Sequence, residues 1–223
     1  MNQATGKASS QIKTLVQCDF DGTVTVEDVS FIILDTFARG DWRKLNDEYE
    51  AGKMTVGRFN REAVAMLRTT RKAMLEAIAG KYKIRPGFPE FVRYCRNKGY
   101  RLVIVSNGFD SYIGQILQEL GLDDIEIHAA NLKFSGGRVS TKYTGPDGQE
   151  EDNSLKESFV DYFLSQGYRI VYIGDGASDF KPARKCQKIF ARETLLQKCE
   201  AAGVPNTGYG DFHQIIKKLE ARK

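Results

Sequence analysis

Three separated apolar runs each end in a cluster of small polar and acidic residues, and that pattern admits few folds. Leu15-Val16-Gln17-Cys18 leads into Asp19-Phe20-Asp21-Gly22-Thr23. Leu102-Val103-Ile104-Val105 leads into Ser106-Asn107-Gly108. Ile170-Val171-Tyr172-Ile173 leads into Gly174-Asp175-Gly176-Ala177-Ser178-Asp179. Short β-rich runs at 14–18, 101–105, 125–128, 169–173 and 188–191 alternate with helically spaced stretches. Phe88, Phe91, Val92 and Cys95 follow the i, i+3, i+4, i+7 spacing of a helix with one buried face. Gly99, Gly121 and Gly167 each stand just past such a stretch, where a left-handed cap is wanted. The alternation predicts an α/β fold, a parallel sheet with helices on both faces.

The gap between the first two strands is too long for one crossover helix. Residues 29–85 hold several helical patterns, one marked by Phe59, Ala63, Val64 and Leu67, with Gly52 and Gly57 as breaks. A small helical insert over the sheet edge is expected there. Pro86-Gly87 and Pro89 punctuate the return, and 134–139 reads as a hairpin with a Gly-Gly turn. The resulting division is a tail at 1–12, a core at 13–28 plus 86–223, and a helical cap at 29–85.

With 223 residues the chain can bury a sizeable core. Its 33 basic and 29 acidic side chains give a charge of +4 without a dense basic block, which argues against nucleic acid as partner and suits small anions. No apolar run is long enough to span a membrane, and 1–12 reads as a polar tail, not a signal peptide. Cys18, Cys95, Cys186 and Cys199 form no C-x-x-C pair, so free thiols in a reducing cytoplasm are expected. Cys95 and Arg101 match C-x5-R, but in helix-to-strand order, which points no helix N-terminus at phosphate. His128 and His213 adjoin no polar cluster.

If the strands are parallel, all three clusters fall at the carboxyl edge of the sheet, where open α/β sheets bind ligands. Singly, each reads equally well as a turn or a helix cap. Together they suit metal-assisted phosphoryl transfer. Asp19 and Asp175 supply hard oxygens for Mg2+, and the metal lets an anionic carboxylate approach a phosphate. Asp19 is the candidate nucleophile and Asp21 the candidate acid and base. Gly22, Ser106, Asn107 and Gly108 are candidates for holding phosphate oxygens. Lys156 is the candidate cation: it falls in the first turn of the helix that the Ser154-x-x-Glu157 capping box predicts, against the dipole's preference. Asp28 either selects substrate or caps the helix beginning at Val29.

These residues resemble the haloacid dehalogenase superfamily of phosphotransferases. Asp19 to Thr23 match its D-x-D-G/S-T motif, Ser106 its second motif, Lys156 its third, and Asp175 with Asp179 its fourth. The resemblance implies a Rossmann-like core with a cap between the first two motifs. It also implies Mg2+ held by Asp19, Asp175 and the Asp21 carbonyl, with Asp179 orienting Lys156 or the metal's waters. An acid at position 21 favours phosphatase chemistry on a small phosphorylated metabolite. Within the superfamily the fourth motif looks most like the phosphoserine phosphatase group. Gly22 and Asp28 depart from it, standing where that group carries serine and glutamate. The stretch from Ile189 to Pro205 looks more like the methionine-salvage phosphatases acting on 2-hydroxy-3-keto-5-methylthiopentenyl-1-phosphate. Three functional classes follow: a phosphomonoester hydrolase, a mutase using the same aspartyl-phosphate, and a non-catalytic binding module. The substrate and the oligomeric state are not legible.

Overall fold

A computed structural model describes residues 13–151 and 153–221, so the expected tail at 1–12 lies outside the described residues. The chain begins with β1 (Thr14–Cys18), followed by four helices: α1 (Val29–Phe37), α2 (Trp42–Glu50), α3 (Val56–Ala65) and α4 (Arg71–Ile78). Then come α5 (Phe88–Lys98), β2 (Arg101–Phe109), α6 (Asp110–Glu119), β3 (Glu126–Ser135) and β4 (Arg138–Lys142). The last part holds α7 (Leu155–Ser165), β5 (Arg169–Gly174), α8 (Phe180–Ala183), β6 (Lys188–Ala191), α9 (Glu193–Ala201), β7 (Thr207–Gly208) and α10 (Phe212–Glu220).

The seven strands form one sheet in the order β4-β3-β2-β1-β5-β6-β7. All pairings are parallel except β3 with β4. Side chains alternate faces along a strand. Yet Leu15, Val16, Gln17 and Cys18 are all fully buried, so both faces of β1 are covered. The chain leaves β1 toward β2 on one side and later returns to β5 on the other. Such a switch point opens a crevice beyond the carboxyl ends of the strands, which is where the three polar clusters lie.

The helical stretch 29–85 leaves and rejoins the sheet through two adjacent segments. Val26 N–H donates to Lys83 O at 2.8 Å, and Arg85 N–H to Val24 O at 2.8 Å. Side-chain caps start each of its helices: Asp28, Asp41, Thr55 and Thr70 accept from the first-turn N–H groups of α1, α2, α3 and α4. Its apolar faces pack through the Phe31–Trp42 and Tyr49–Phe59 ring pairs, with centroids 4.8 Å and 5.5 Å apart. On its far side Thr69 N–H donates to Gly137 O at the tip of the β3–β4 hairpin, at 3.2 Å.

Several local expectations change. Gly57 lies inside α3 and does not break it. The 125–128 run and the hairpin's first arm are one strand, β3. The Ser154–Glu157 capping box does not form. Ser154 Oγ donates instead to Glu151 Oε1 at 2.7 Å, and Glu157 pairs with Lys185 at 2.8 Å. An acid upstream competes for the hydroxyl, which the S-x-x-E spacing cannot reveal. Gly99, Gly121 and Gly167 do take left-handed φ. No helix among the described residues is long and apolar enough to cross a membrane.

Candidate active site

Asp19 follows the last residue of β1, and its N–H donates to Ile173 O at 2.9 Å, prolonging the pairing with β5. The chain then turns tightly, with the N–H groups of Thr23, Val24 and Thr25 all donating to Phe20 O. Gly22 makes the turn possible. Its φ is +70°, and a Cβ there would fall on the Asp175 carboxylate. A serine, which the phosphoserine phosphatase pattern carries here, would have to displace the Asp175 carboxylate.

The Asp19 carboxylate is buried at 6% exposure. Its Oδ1 accepts from Phe20 N–H at 2.7 Å, and its Oδ2 lies 2.7 Å from Lys156 Nζ. Lys156 is itself 4% exposed and reaches Asp179 Oδ1 at 2.7 Å and Ser178 Oγ at 3.2 Å. The lysine is therefore not a solvated surface charge. Gln17 Nε2 donates to Lys156 O at 2.8 Å, tying the start of α7 to β1. Both oxygens of the fully buried Asp179 are engaged. Oδ1 accepts from Lys156 and from Tyr172 OH at 2.7 Å, while Oδ2 accepts from the N–H groups of Asp175 and Gly176 at 3.2 Å and 2.9 Å. Thr23 Oγ1 donates to Asp175 Oδ1 at 2.9 Å, joining the first and third clusters.

The second cluster completes the crevice. Ser106 is 1% exposed, and its Oγ accepts from Gly108 N–H at 3.0 Å, leaving its own proton to donate. The Asn107 carbonyl accepts from Tyr143 OH at 2.6 Å. Asp21 Oδ1 accepts from Val29 N–H at 2.9 Å, and its Oδ2 accepts from the Tyr112 hydroxyl. Gly108 permits that bond, since a Cβ there would collide with both groups. Asp28 Oδ1 accepts from Phe31 N–H at 3.1 Å and Ser30 Oγ at 2.5 Å, so it caps α1, and it also lines the crevice.

Two adjoining cavities result. The inner one, about 140 Å³, is lined by Asp19, Asp21, Asp28, Ser106, Lys156 and Asp175, with Asn46, Asn60 and Phe59 from the helical stretch. The outer one, about 400 Å³, shares Tyr49, Val56 and Lys156 with it and adds Met54, Phe180, Pro182, Lys181 and Lys198.

Charge is concentrated here. Burial pushes the Asp19 carboxyl well above its usual range, Lys156 pulls it back, and Asp179 and Asp175 push it up again. Burial and then Asp179 raise Asp175 to about 7. Burial raises Asp21, with Asp28 adding to it. For Lys156, burial opposes the charge, but Asp179 and Asp19 outweigh it and hold the ammonium protonated. Oxygens of Asp19, Asp175 and Asp179 lie within 4.8 Å of one another. This set of hard donors, with one ammonium among three acids, fits a divalent cation of the magnesium type. Asp179 is committed to its four donors, which leaves Asp19 and Asp175 as the carboxylates with oxygen to offer.

Sequence reasoning names Asp19, Asp21, Gly22, Asp28, Ser106, Asn107, Gly108, Lys156, Asp175 and Asp179; all but Gly22 and Asp179 line this crevice, and those two stand behind it, against Asp175 and Lys156. That reasoning misses Tyr112, Tyr172, Tyr143 and Arg85. Arg85, 5% exposed, donates to the carbonyls of Gly22 and Thr23 at 2.7 Å and 2.8 Å. Its one sequence signal is its place just before Pro86-Gly87. The two histidines stay outside, His128 bonding Glu126 at 2.7 Å and stacking on Phe159.

Residues 16–184 match the model of the haloacid dehalogenase-like hydrolases. The chain is 31% identical over 213 residues to the 2-hydroxy-3-keto-5-methylthiopentenyl-1-phosphate phosphatase of Brevibacillus brevis, spanning 93% of this chain and 96% of that one. It is 30% identical to the enzyme of the same name from Geobacillus kaustophilus, over 91% and 94% of the two chains. Among solved structures, an aspartyl-phosphate analogue complex of phosphoserine phosphatase superposes with a TM-score of 0.71 at 23% identity, over 93% of this chain and 99% of that one.

Proposed function

The chain belongs to the haloacid dehalogenase-like hydrolase family and is a phosphoric monoester hydrolase; we propose that it is magnesium-dependent and works through an aspartyl-phosphate on Asp19. One observation carries this reading: the Asp19 carboxylate sits buried between the Lys156 ammonium and the Asp175 carboxylate, at the mouth of β1.

In the proposed cycle an Asp19 oxygen attacks phosphorus as the bond to the leaving alkoxide breaks, and Asp21 delivers the proton that alkoxide needs. Asp21, now ionised, takes a proton from water as that water attacks the aspartyl-phosphate, releasing phosphate and restoring Asp19. Lys156 and the Ser106 hydroxyl face the charge on the transferring group. Asp19, Asp175 and the Asp21 carbonyl would hold Mg2+, which when bound screens phosphate charge from the nucleophile. Residues 29–85 act as a cap over the core formed by 13–28 and 86–223, excluding water during transfer.

The lining also favours one substrate class. Lys156 is the one cation around the inner cavity among the described residues, and it is shared by Asp19 and Asp179. The rest of that wall offers Asp28, Glu50, Asn46 and Asn60. A substrate carboxylate, as in phosphoserine, would meet amide donors from Asn46 and Asn60 there but no uncommitted cation, and it would face Asp28 and Glu50. We therefore favour the phosphate ester of an uncharged hydroxy-keto chain, of the kind named for the Brevibacillus and Geobacillus relatives. Met54, Val56, Phe180 and Pro182 in the outer cavity suit an apolar distal end. A panel of metabolite phosphates assayed with Mg2+ tests this. The expected result is a kcat/KM for uncharged ketose-type phosphates at least about tenfold above that for phosphoserine. A preference for phosphoserine would reverse the assignment.

A further inference from the structure

Arg85 is a buried charge to which the hydrolytic cycle gives no task. Its guanidinium donates from Nε to Thr23 O at 2.8 Å, from Nη2 to Gly22 O at 2.7 Å and Thr25 O at 3.2 Å, and from Nη1 to Gly210 O at 3.5 Å. All four acceptors are backbone carbonyls, and three belong to the turn that carries Asp19. The Arg85 main-chain N–H adds a fifth tie, to Val24 O at 2.8 Å. A planar fork of donors matches such a set of fixed acceptors, and a single-point ammonium does not.

The position is itself held firmly. Gly87, two residues on, has φ +84°, and a Cβ there would press on His213 N. Phe212 N–H donates to Pro86 O at 2.9 Å, anchoring this return segment to the start of α10. Thr25 and Ile84 also form a β-bridge, so Arg85 lies where the helical stretch rejoins the core. The consequences run inward. The carbonyls of residues 22, 23 and 25 point to Arg85, while the N–H groups of 23, 24 and 25 converge on Phe20 O, so both sides of the turn are pinned. Thr23, held by its carbonyl, places its hydroxyl on Asp175.

We propose that Arg85 is a positioning residue for phosphoryl transfer: by gripping the Gly22, Thr23 and Thr25 carbonyls it fixes Asp19 and, through Thr23, Asp175 in the geometry of the transition state. This rests on the reading of Asp19 and Asp175 as the transfer site. A displacement of about 1 Å at reacting groups costs on the order of a hundredfold in rate, so a loosened turn should lower kcat while leaving ground-state phosphate binding largely intact.

The test compares Arg85→Lys and Arg85→Met with the parent enzyme, all loaded with Mg2+. It measures kcat, KM and the inhibition constants for orthovanadate, which adopts five-coordinate geometry, and for inorganic phosphate. The ratio of the two constants does not depend on the folded fraction, so general destabilisation leaves it unchanged. The expected result in both variants is a kcat lowered roughly a hundredfold and vanadate affinity weakened at least about tenfold, with KM and phosphate affinity within about threefold. Parent-like kcat and vanadate-to-phosphate ratio in either variant would overturn the positioning role. A parent enzyme that shows no selectivity for vanadate would instead overturn the transfer-site reading, and Arg85's role with it.

Discussion

Asp179 Oδ1 lies 2.7 Å from Lys156 Nζ, and both side chains are shut away from solvent. The pair spans 23 residues of sequence and ties the start of α7 to the loop after β5. Removing the Asp179 carboxylate leaves Lys156 with Asp19 alone and takes the acceptor from the Tyr172 hydroxyl and the Asp175 and Gly176 N–H groups, at a cost on the order of 3 kcal/mol. Asp179→Ala should therefore lose about that much stability in urea denaturation and most of its turnover. Adding Lys156→Met to it should recover no activity, because Asp19 then also loses the ammonium it pairs with. An Asp179→Ala enzyme of parental stability would show that the pair carries no structural weight.

Gly22 meets two constraints at once, a left-handed φ and the closeness of Asp175. Gly22→Ser answers neither, and the conformational part alone costs about 1–2 kcal/mol. The side chain should displace the Asp175 carboxylate and raise the Mg2+ concentration needed for half-maximal activity at least about tenfold, if Asp175 is a ligand. An unchanged Mg2+ titration would remove Asp175 from the metal set.

The Tyr112 hydroxyl donates to the oxygen of Asp21 that faces Gly108. Burial and then Asp21 push the phenol far above its usual value, so it stays a donor. Tyr112→Phe removes the tether with little loss of packing. General acid help matters most for poor leaving groups. The variant should lose roughly tenfold more activity on an alkyl phosphate than on 4-nitrophenyl phosphate. Equal losses on both would mean that Tyr112 supports the fold and not the proton transfer.

Asp28 is both a helix cap and part of the cavity wall. Asp28→Ala should cost about 1 kcal/mol through the lost cap, and it should also reorder relative rates across a panel of phosphate esters. An unchanged ranking would leave capping as its whole role.

The crowded acids make the metal-free protein sensitive to pH. Asp175 rises from an ordinary 3.8 to about 7 in the folded chain. The folded state thus holds more protons than the unfolded state between those values, and stability falls as pH rises through that window. Metal-free protein should melt at a higher temperature at pH 5 than at pH 7.5, and Mg2+ should stabilise it more at pH 7.5. The opposite order in thermal melts would show that these carboxylates are not proton-loaded without metal.

Much of this was legible in the chain because strand ends are local. An apolar run followed by Asp19 or Asp175 needs only the rule that parallel strands end at one edge. The capping box that singles out Lys156 in the sequence does not form, and other contacts bring the lysine to Asp19. Glu151 takes the Ser154 hydroxyl, and the lysine is placed by Asp19 and Asp179, contacts 137 and 23 residues apart. Tyr112 and Arg85 escape notice because their partners lie 91 and 62 residues away, whereas Tyr172 meets Asp179 only 7 residues on but reads as a core residue of its strand. Arginine and tyrosine are common enough on surfaces that type alone carries no signal. Arg85 meets Thr23 across 62 residues, a proximity set only when the helical stretch folds back.

The most direct test of the account is acid quench of the enzyme during turnover of a 32P-labelled phosphate ester with Mg2+. The account predicts hydroxylamine-labile label on Asp19, absent in Asp19→Asn. Steady turnover without any protein-bound label under single-turnover sampling, or label that persists in Asp19→Asn, would contradict Asp19 as the nucleophile.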